Sequence, residues 1–311
     1  MHAKFLRYLR QTFNSTSPLA TEERIRYYLA PDLQGGGAIE LDCTDDKLVC
    51  AEIPDKSAYR GLAELLAEEG WDRHYFLLGP PDVGRFRNSY ELSKIRFPGA
   101  TRTTILKTLN LKRHWRAVYA PPKDRPFHRK RDEVVWRGAP TGIPFREHNR
   151  LTFLRQYFDL RSDIDVGFSL PNNSKLGREP EVLRFAKAKM QPAEMLQYKY
   201  VLSLEGNDKD SGLNWKLNSN SVVLMSPPSR SSWLMEEKLQ PGVHYIPLKA
   251  DFSDLQEKLD ECRSNQRHCE QVLANARRYM QQFQDTEREA YIERQVLKGY
   301  FDRLRPLLGT L

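Results

Sequence analysis

The sequence has no long hydrophobic run. No apolar stretch approaches the roughly 18–20 residues needed to cross a bilayer. Arg7 and Arg10 interrupt the first segment, so it has no signal-peptide core. A cytoplasmic location is the resulting expectation. Cysteine is scarce: Cys43, Cys50, Cys262 and Cys269 form two pairs whose spacing fits no common zinc pattern. A disulfide framework is not expected at this size, so all four are read as free thiols. Two phosphate-binding signatures are missing as well. Gly35-Gly36-Gly37 lacks the Lys-Ser/Thr of a phosphate loop, and there is no GxGxxG.

What is present is ordinary for a soluble globular protein, with 40% hydrophobic and 29% charged residues. The 311 residues are enough for two domains. A total of 49 Lys and Arg against 41 Asp and Glu leaves a net charge of +8. That excess favours anionic partners such as a nucleotide diphosphate or an anionic membrane surface. It is spread along the chain without an RNA-binding signature, which argues against nucleic acid. Residues 3–13 place Phe5, Leu6, Leu9 and Phe13 on one helical face, with Lys4, Arg7 and Arg10 between them. This segment is either an interfacial anchor on anionic lipid or a helix packed on its own domain.

The chain is organised around residues 198–225, YKYVLSLEGNDKDSGLNWKLNSNSVVLM. An apolar run, 200–204, ends at Glu205-Gly206-Asn207-Asp208. A helix-compatible stretch over 211–219 and a second apolar run, 222–225, follow. The pattern predicts strand, turn, helix, strand, a βαβ unit. Its turn, at Gly206 and Asn207, and its helix N-terminus offer free N–H groups and a dipole to an anionic ligand.

Elsewhere the periodicity predicts helices over 21–29, stopped by Pro31, and over 57–69, ended by Gly70. Strands are expected at 38–41, 48–53, 74–78, 133–138, 164–168 and 243–248. Residues 120–131, rich in Pro, Lys and Arg, read as a linker. Helices are expected over 146–158, 180–190 and 192–197, and over 252–259, 265–283 and 286–304 as a helical tail whose charge reads as a solvated face. Residues 171–177 read as a polar loop.

Several separated blocks share a resemblance. They are YKYVLSLEGND, SNSVVLM, Trp233-Leu234-Met235-Glu236, His244-Tyr245-Ile246, Trp136-Arg137-Gly138 and Asp165-Val166-Gly167, in that family's order. The chain resembles glycosyltransferase family 90, and most of all its bacterial lipopolysaccharide-modifying branch. The resemblance implies an α/β fold with two Rossmann-like domains facing a cleft (GT-B type) and a helical C-terminal tail. The expected divisions are 1–125 on the acceptor side, 126–285 for the nucleotide sugar, and 286–311 packing back on the first domain. It implies inverting transfer from a nucleotide sugar, UDP-linked, to a hydroxyl of a surface glycan such as lipopolysaccharide, reached from the cytoplasmic side of the inner membrane.

Asp82, just past a strand end, matches the family's general base by position, though GPPD departs from the usual Gly-Asp. Its other reading is a turn Asp after Pro-Pro. Arg137, Gly138, Arg146 and Arg150 correspond to the donor block, with Ala139 where relatives carry Ser. Arg150 is the first choice for the diphosphate, because guanidinium stays protonated and offers paired donors. Eukaryotic relatives hold the donor with an Arg near Gly212; here Lys216 is the substitute. Ser219, Asn220 and Ser221 suit a nucleotide or simply a turn, and Glu236 suits ribose or sugar hydroxyls or a helix start. Arg96, Arg113 and His114 are candidates for the sugar or the acceptor, or else surface charge. Asp163-Ile164-Asp165 has metal-site spacing, but Asp165 opens a strand and the family is held to be metal-independent, so neither metal nor cofactor is expected. A non-catalytic nucleotide- or glycan-binding protein retaining the fold is the alternative.

Overall fold

The computed structural model describes residues 19–34, 47–48, 52–53, 59–79, 90–107, 115–119, 123–170 and 175–308. The expectations for 3–13, 38–41, Gly35 to Gly37, Asp82, Arg113 and His114 lie outside the described residues, as does most of the 171–177 loop. Two compact units emerge. A split unit draws on Leu19–Tyr119, Ser229–Glu236 and Phe283–Leu311, and a central unit on Ala120–Pro228 and Glu237–Gln282. No helix among the described residues is long and apolar enough to cross a membrane.

The split unit starts with helices α1 (Thr21–Tyr28) and α2 (Pro31–Gln34). Pro31 ends the first as expected, since it has no N–H to continue the ladder. Strand β1 (Lys47–Leu48) is what is described of the expected 48–53 strand, for Glu52 and Ile53 leave the extended path. Helix α3 (Arg60–Glu68) buries Leu62 and Leu66, one turn apart, and Gly70 at φ +69° follows its end. Strands β2 (Phe76–Leu78), β3 (Glu91–Ser93), β4 (Ile95–Arg96) and β5 (Thr104–Ile105) come next, with a short helix α4 (Arg116–Tyr119). The sheet order is β1-β2-β3-β5, parallel except for β1.

The central unit holds a six-stranded sheet that is parallel throughout. Its strands are β6 (Arg131–Gly138), β7 (Ile164–Leu170), β8 (Ala186–Ala188), β9 (Tyr198–Leu202), β10 (Val222–Met225) and, after the chain has passed β11 (Ser231–Ser232), β12 (Ile246–Pro247). The spatial order is β8-β7-β6-β9-β10-β12. Counted from β6, that is 3-2-1-4-5-6, the doubly wound order of dinucleotide-binding sheets. Every second residue (Val134 and Trp136, Val166 and Phe168, Tyr200 and Leu202, Val222 and Leu224) joins one core. The intervening Val135, Val201 and Val223 are buried too, so both faces are covered.

Several expected elements differ in their bounds. Helix α5 (Arg150–Tyr157) begins four residues later than expected. Pro144 sits in a one-turn helix at 143–145, Arg146 is extended, and Asn149 caps α5 by accepting from Leu151 and Thr152 N–H. The expected 180–190 helix is only α6 (Pro180–Leu183), because Ala186–Ala188 leaves to pair with Phe168–Leu170 as the edge strand. After α7 (Pro192–Met195), helix α8 (Leu213–Leu217) has five residues, too few for a strong dipole. Only Ile246–Pro247 of the 243–248 segment is strand. Of the expected linker, residues 127–129 form a helical turn, and Phe127 packs into the central core. Helices α9 (Leu255–Ser264) and α10 (Gln266–Gln281) complete this unit.

The chain returns to the split unit twice. Strand β11 pairs antiparallel with β4, and the 23-residue α11 (Thr286–Leu308) lies along α1. The tail is not purely a solvated face. Glu289 is buried and accepts from Arg24 and Lys107, which are also buried. Tyr28 takes a bond from Arg24 and donates to the Trp233 carbonyl at 2.6 Å.

Candidate functional site

In an open parallel sheet, ligands bind beyond the carboxyl ends of the strands where the winding reverses. Here that place is between β6 and β9, whose ends lead into residues 139–149 and 203–212. The two loops touch at their glycines. Gly142 has φ +84°, which L side chains rarely adopt, and a Cβ there would lie 2.6 Å from the Gly206 oxygen. The Gly142 N–H donates to the Asn207 side chain at 2.9 Å.

Two arginines bind these loops together. Arg150, the first residue of α5, reaches back over Trp136. Its Nε and Nη2 donate to the Leu204 carbonyl at 3.2 and 2.7 Å, and its Nη1 to the Ala139 carbonyl and Thr141 Oγ1 at 3.0 and 2.6 Å. All of these acceptors are neutral. Arg150 is therefore a buried cation without a carboxylate in contact, and burial pulls its pKa down. Arg146 donates to the Gly206 and Asp208 carbonyls at 3.1 and 2.7 Å and pairs with Glu205 at 2.6 Å.

Sequence reasoning missed Asp210. Its carboxylate, buried, accepts from Ser203 Oγ and the Gly212 N–H at 2.8 Å each and from Lys216. Burial pushes Asp210 up, but Lys216 and Arg150 outweigh it and hold the carboxyl below its usual range. Lys216 also donates to the Leu202 carbonyl at 2.9 Å, so its charge is committed to this pair. The signal was the six-residue separation of Asp210 and Lys216 around a short helix start.

Other expected residues lie apart. Ser219, Asn220 and Ser221 precede β10 and therefore sit at the amino edge, the opposite end of the sheet. There Ser221 bonds Lys130 and the Tyr198 carbonyl, and Asn220 bonds Asp124 and Arg277. Arg137 turns sideways to Asp165 at 2.7 Å, while Gly138 ends β6 at the carboxyl edge. The spaced carboxylates are ion-paired: Asp163 with Arg161 and Arg263, Asp165 with Arg137 and Lys187. In the split unit, buried Glu236 accepts from the Ser232 N–H at 2.7 Å and from its hydroxyl. Arg96 donates to the Tyr27 and Leu29 carbonyls at 2.7 and 3.3 Å.

The Glycosyl transferase family 90 model matches residues 77–305. Among individual proteins, the O-glucosyltransferase LpsA of Dichelobacter nodosus is 34% identical over 226 residues, covering 73% of this chain and 64% of that protein. Uncharacterized protein 027R of Frog virus 3 (isolate Goorha) is 35% identical over 183 residues, 51% of this chain and 19% of the viral protein. Uncharacterized protein 035R of Invertebrate iridescent virus 3 is 28% identical over 190 residues, 55% of this chain and 17% of its own length. The chain thus spans slightly less than two thirds of the bacterial relative and under a fifth of each viral one. With the family match covering most of its length, the chain belongs to glycosyltransferase family 90.

Proposed function

We propose that this chain is an inverting glycosyltransferase. It moves a sugar from a UDP-linked donor to a hydroxyl of a glycan acceptor such as lipopolysaccharide, from the cytoplasmic side of the membrane. Its two units are the halves of a GT-B arrangement. Asp82 takes the acceptor's proton as the acceptor oxygen bonds to the anomeric carbon, and the bond to the diphosphate breaks on the opposite face. The leaving diphosphate lies beyond β6 and β9.

The observation that supports this reading most is Arg150. A buried cation whose hydrogen bonds all go to neutral oxygens, with Asp210, Asp208 and Glu205 acting on it only through space, gains from the negative charge of a bound diphosphate. Arg146 adds a second, partly exposed cation on the same loop. Among the nearby anions, Asp210 is matched by Lys216 and Glu205 by Arg146. No divalent metal is assigned to the reaction.

Isothermal titration with UDP, with and without EDTA, tests the reading. Binding that EDTA leaves unchanged and that weakens in Arg146→Gln is the expected result. Absence of binding to UDP and to the other nucleoside diphosphates would sink it. A UDP-sugar screen with Asp82→Asn, expected to keep donor binding and lose transfer, then tests the base.

A further inference from the structure

Residues 123–131 of the central unit read KDRPFHRKR, five cations and one histidine against a single carboxylate. The stretch is pinned from the inside. Phe127 is buried in the core and meets the Tyr200 ring edge-on at 6.2 Å. Lys130 turns inward as well. Its Nζ donates to the Leu196 carbonyl and to Asp124 at 2.6 Å each, and to Ser221 Oγ at 2.8 Å. Asp124 also accepts from the Asn220 N–H at 2.6 Å. The one carboxylate of the stretch is thereby matched by a buried lysine.

The charge that faces solvent is unmatched. Lys123, Arg125 and Arg129 are exposed, and among the described residues none of them pairs with a carboxylate. Asn220 brings in a fourth cation from α10. Its side chain donates to the Arg125 carbonyl at 3.2 Å and accepts from the exposed Arg277 at 2.9 Å. Arg131 is drawn over the Tyr198 ring at 5.4 Å and is not counted with these four. The one Phe, Tyr or Trp of the stretch, Phe127, is buried, which leaves no such ring for a nucleobase to stack on.

We infer that this surface, built on Lys123, Arg125, Arg129 and Arg277, docks the protein on an anionic lipid bilayer. Each of the four cations is exposed, so solvent and salt screen its pull on one small anion, whereas a charged bilayer attracts all four at once. Four Lys and Arg stand at the lower end of the clusters that hold proteins on such membranes. The surface precedes β6 and adjoins Asn220 before β10, so it lies at the amino edge of the central sheet. The loops after β6 and β9 are at the carboxyl edge. Docking therefore leaves Arg150 and its loops uncovered, and vesicle binding and UDP binding are independent of each other. Docking of this kind does not depend on the transferase reading.

The test is co-sedimentation of the full chain with vesicles of phosphatidylcholine, alone or mixed with phosphatidylglycerol, beside UDP titration of the same preparation. Binding to the mixed vesicles only, lost at high salt, is expected. Lys123→Gln/Arg125→Gln/Arg129→Gln is expected to weaken it about 100-fold, roughly five-fold per cation, while UDP affinity and circular dichroism stay those of the parent. Arg73→Gln/Lys298→Gln/Arg303→Gln removes the same charge from exposed positions of the split unit and is expected to leave vesicle binding within about three-fold of the parent. Equal binding to both kinds of vesicle, or equal weakening by the two triple variants, overturns the inference. So does tighter binding of a short RNA than of vesicles through the same three residues. Absence of vesicle binding with UDP binding intact overturns it and spares the donor reading. Vesicle binding with the expected variant pattern but no UDP binding upholds it and removes the transferase reading instead.

Discussion

Replacing Arg150 with methionine separates its two roles. Methionine keeps much of the side-chain volume, so packing over Trp136 survives and the loss is electrostatic. The change removes four hydrogen bonds and strands the Leu204 and Ala139 carbonyls. A buried acceptor left unsatisfied costs about 1–3 kcal/mol, and removing the buried cation returns part of that, so the net loss is about 2–3 kcal/mol. At roughly 2–4 °C per kcal/mol for a domain of this size, melting falls by about 4–12 °C. UDP affinity falls further. Losing a buried charge opposite a phosphate costs about 2–5 kcal/mol, at least a thirty-fold weaker complex. Differential scanning calorimetry with and without UDP reads both effects. Arg150→Lys keeps the charge but not the fork, and is expected to retain part of the UDP-induced rise. A methionine variant melting within about 1 °C of the parent, with an undiminished UDP-induced rise, would refute the reasoning.

Three further outcomes are expected. Asp210→Asn strands Lys216 in a dry site and costs about 3–5 kcal/mol in urea unfolding, whereas Asp210→Asn/Lys216→Met recovers most of it. His244 accepts from the Gln240 N–H through Nδ1 and is buried, which lowers its pKa to about 4. The unfolded chain therefore takes up this proton first, so stability is full above about pH 6.5 and falls toward pH 4, by about 2 kcal/mol at pH 5; His244→Gln flattens that slope in urea titrations. Gly142→Ala forces an L residue to φ +84° against the Gly206 oxygen. It is expected to cost at least about 1–2 kcal/mol and to weaken UDP binding by disturbing the loop after β9, which melting and titration check together.

The α/β character and the βαβ unit around residues 198–225 were legible in the sequence, because strands buried on both faces read as short apolar runs. The reversal of winding at β6 was not, since strand order depends on pairing between distant segments. Arg150 could be chosen by its block, but its turn back onto Leu204 follows from the Asn149 cap that starts the helix late. Ser219, Asn220 and Ser221 were grouped with the donor residues by proximity in sequence, although a helix and a turn carry them to the other edge. Glu289 looked like one more charge on a polar helix. Only the packing of α11 along α1 takes it out of water, and periodicity does not reveal a face that buries carboxylates with their partners.

The split unit is assembled from three stretches of chain, and the last of them carries Glu289. The residues of the central unit are all synthesised before Glu289. Until then Lys107 and Arg24 have no Glu289 to close on, and sealing their site without it would bury two cations side by side. Synthesis order therefore makes Arg24 and Lys107 wait for α11. A chain truncated after residue 282 would keep the residues of the central unit and lose the carboxylate that Arg24 and Lys107 close on in the split one.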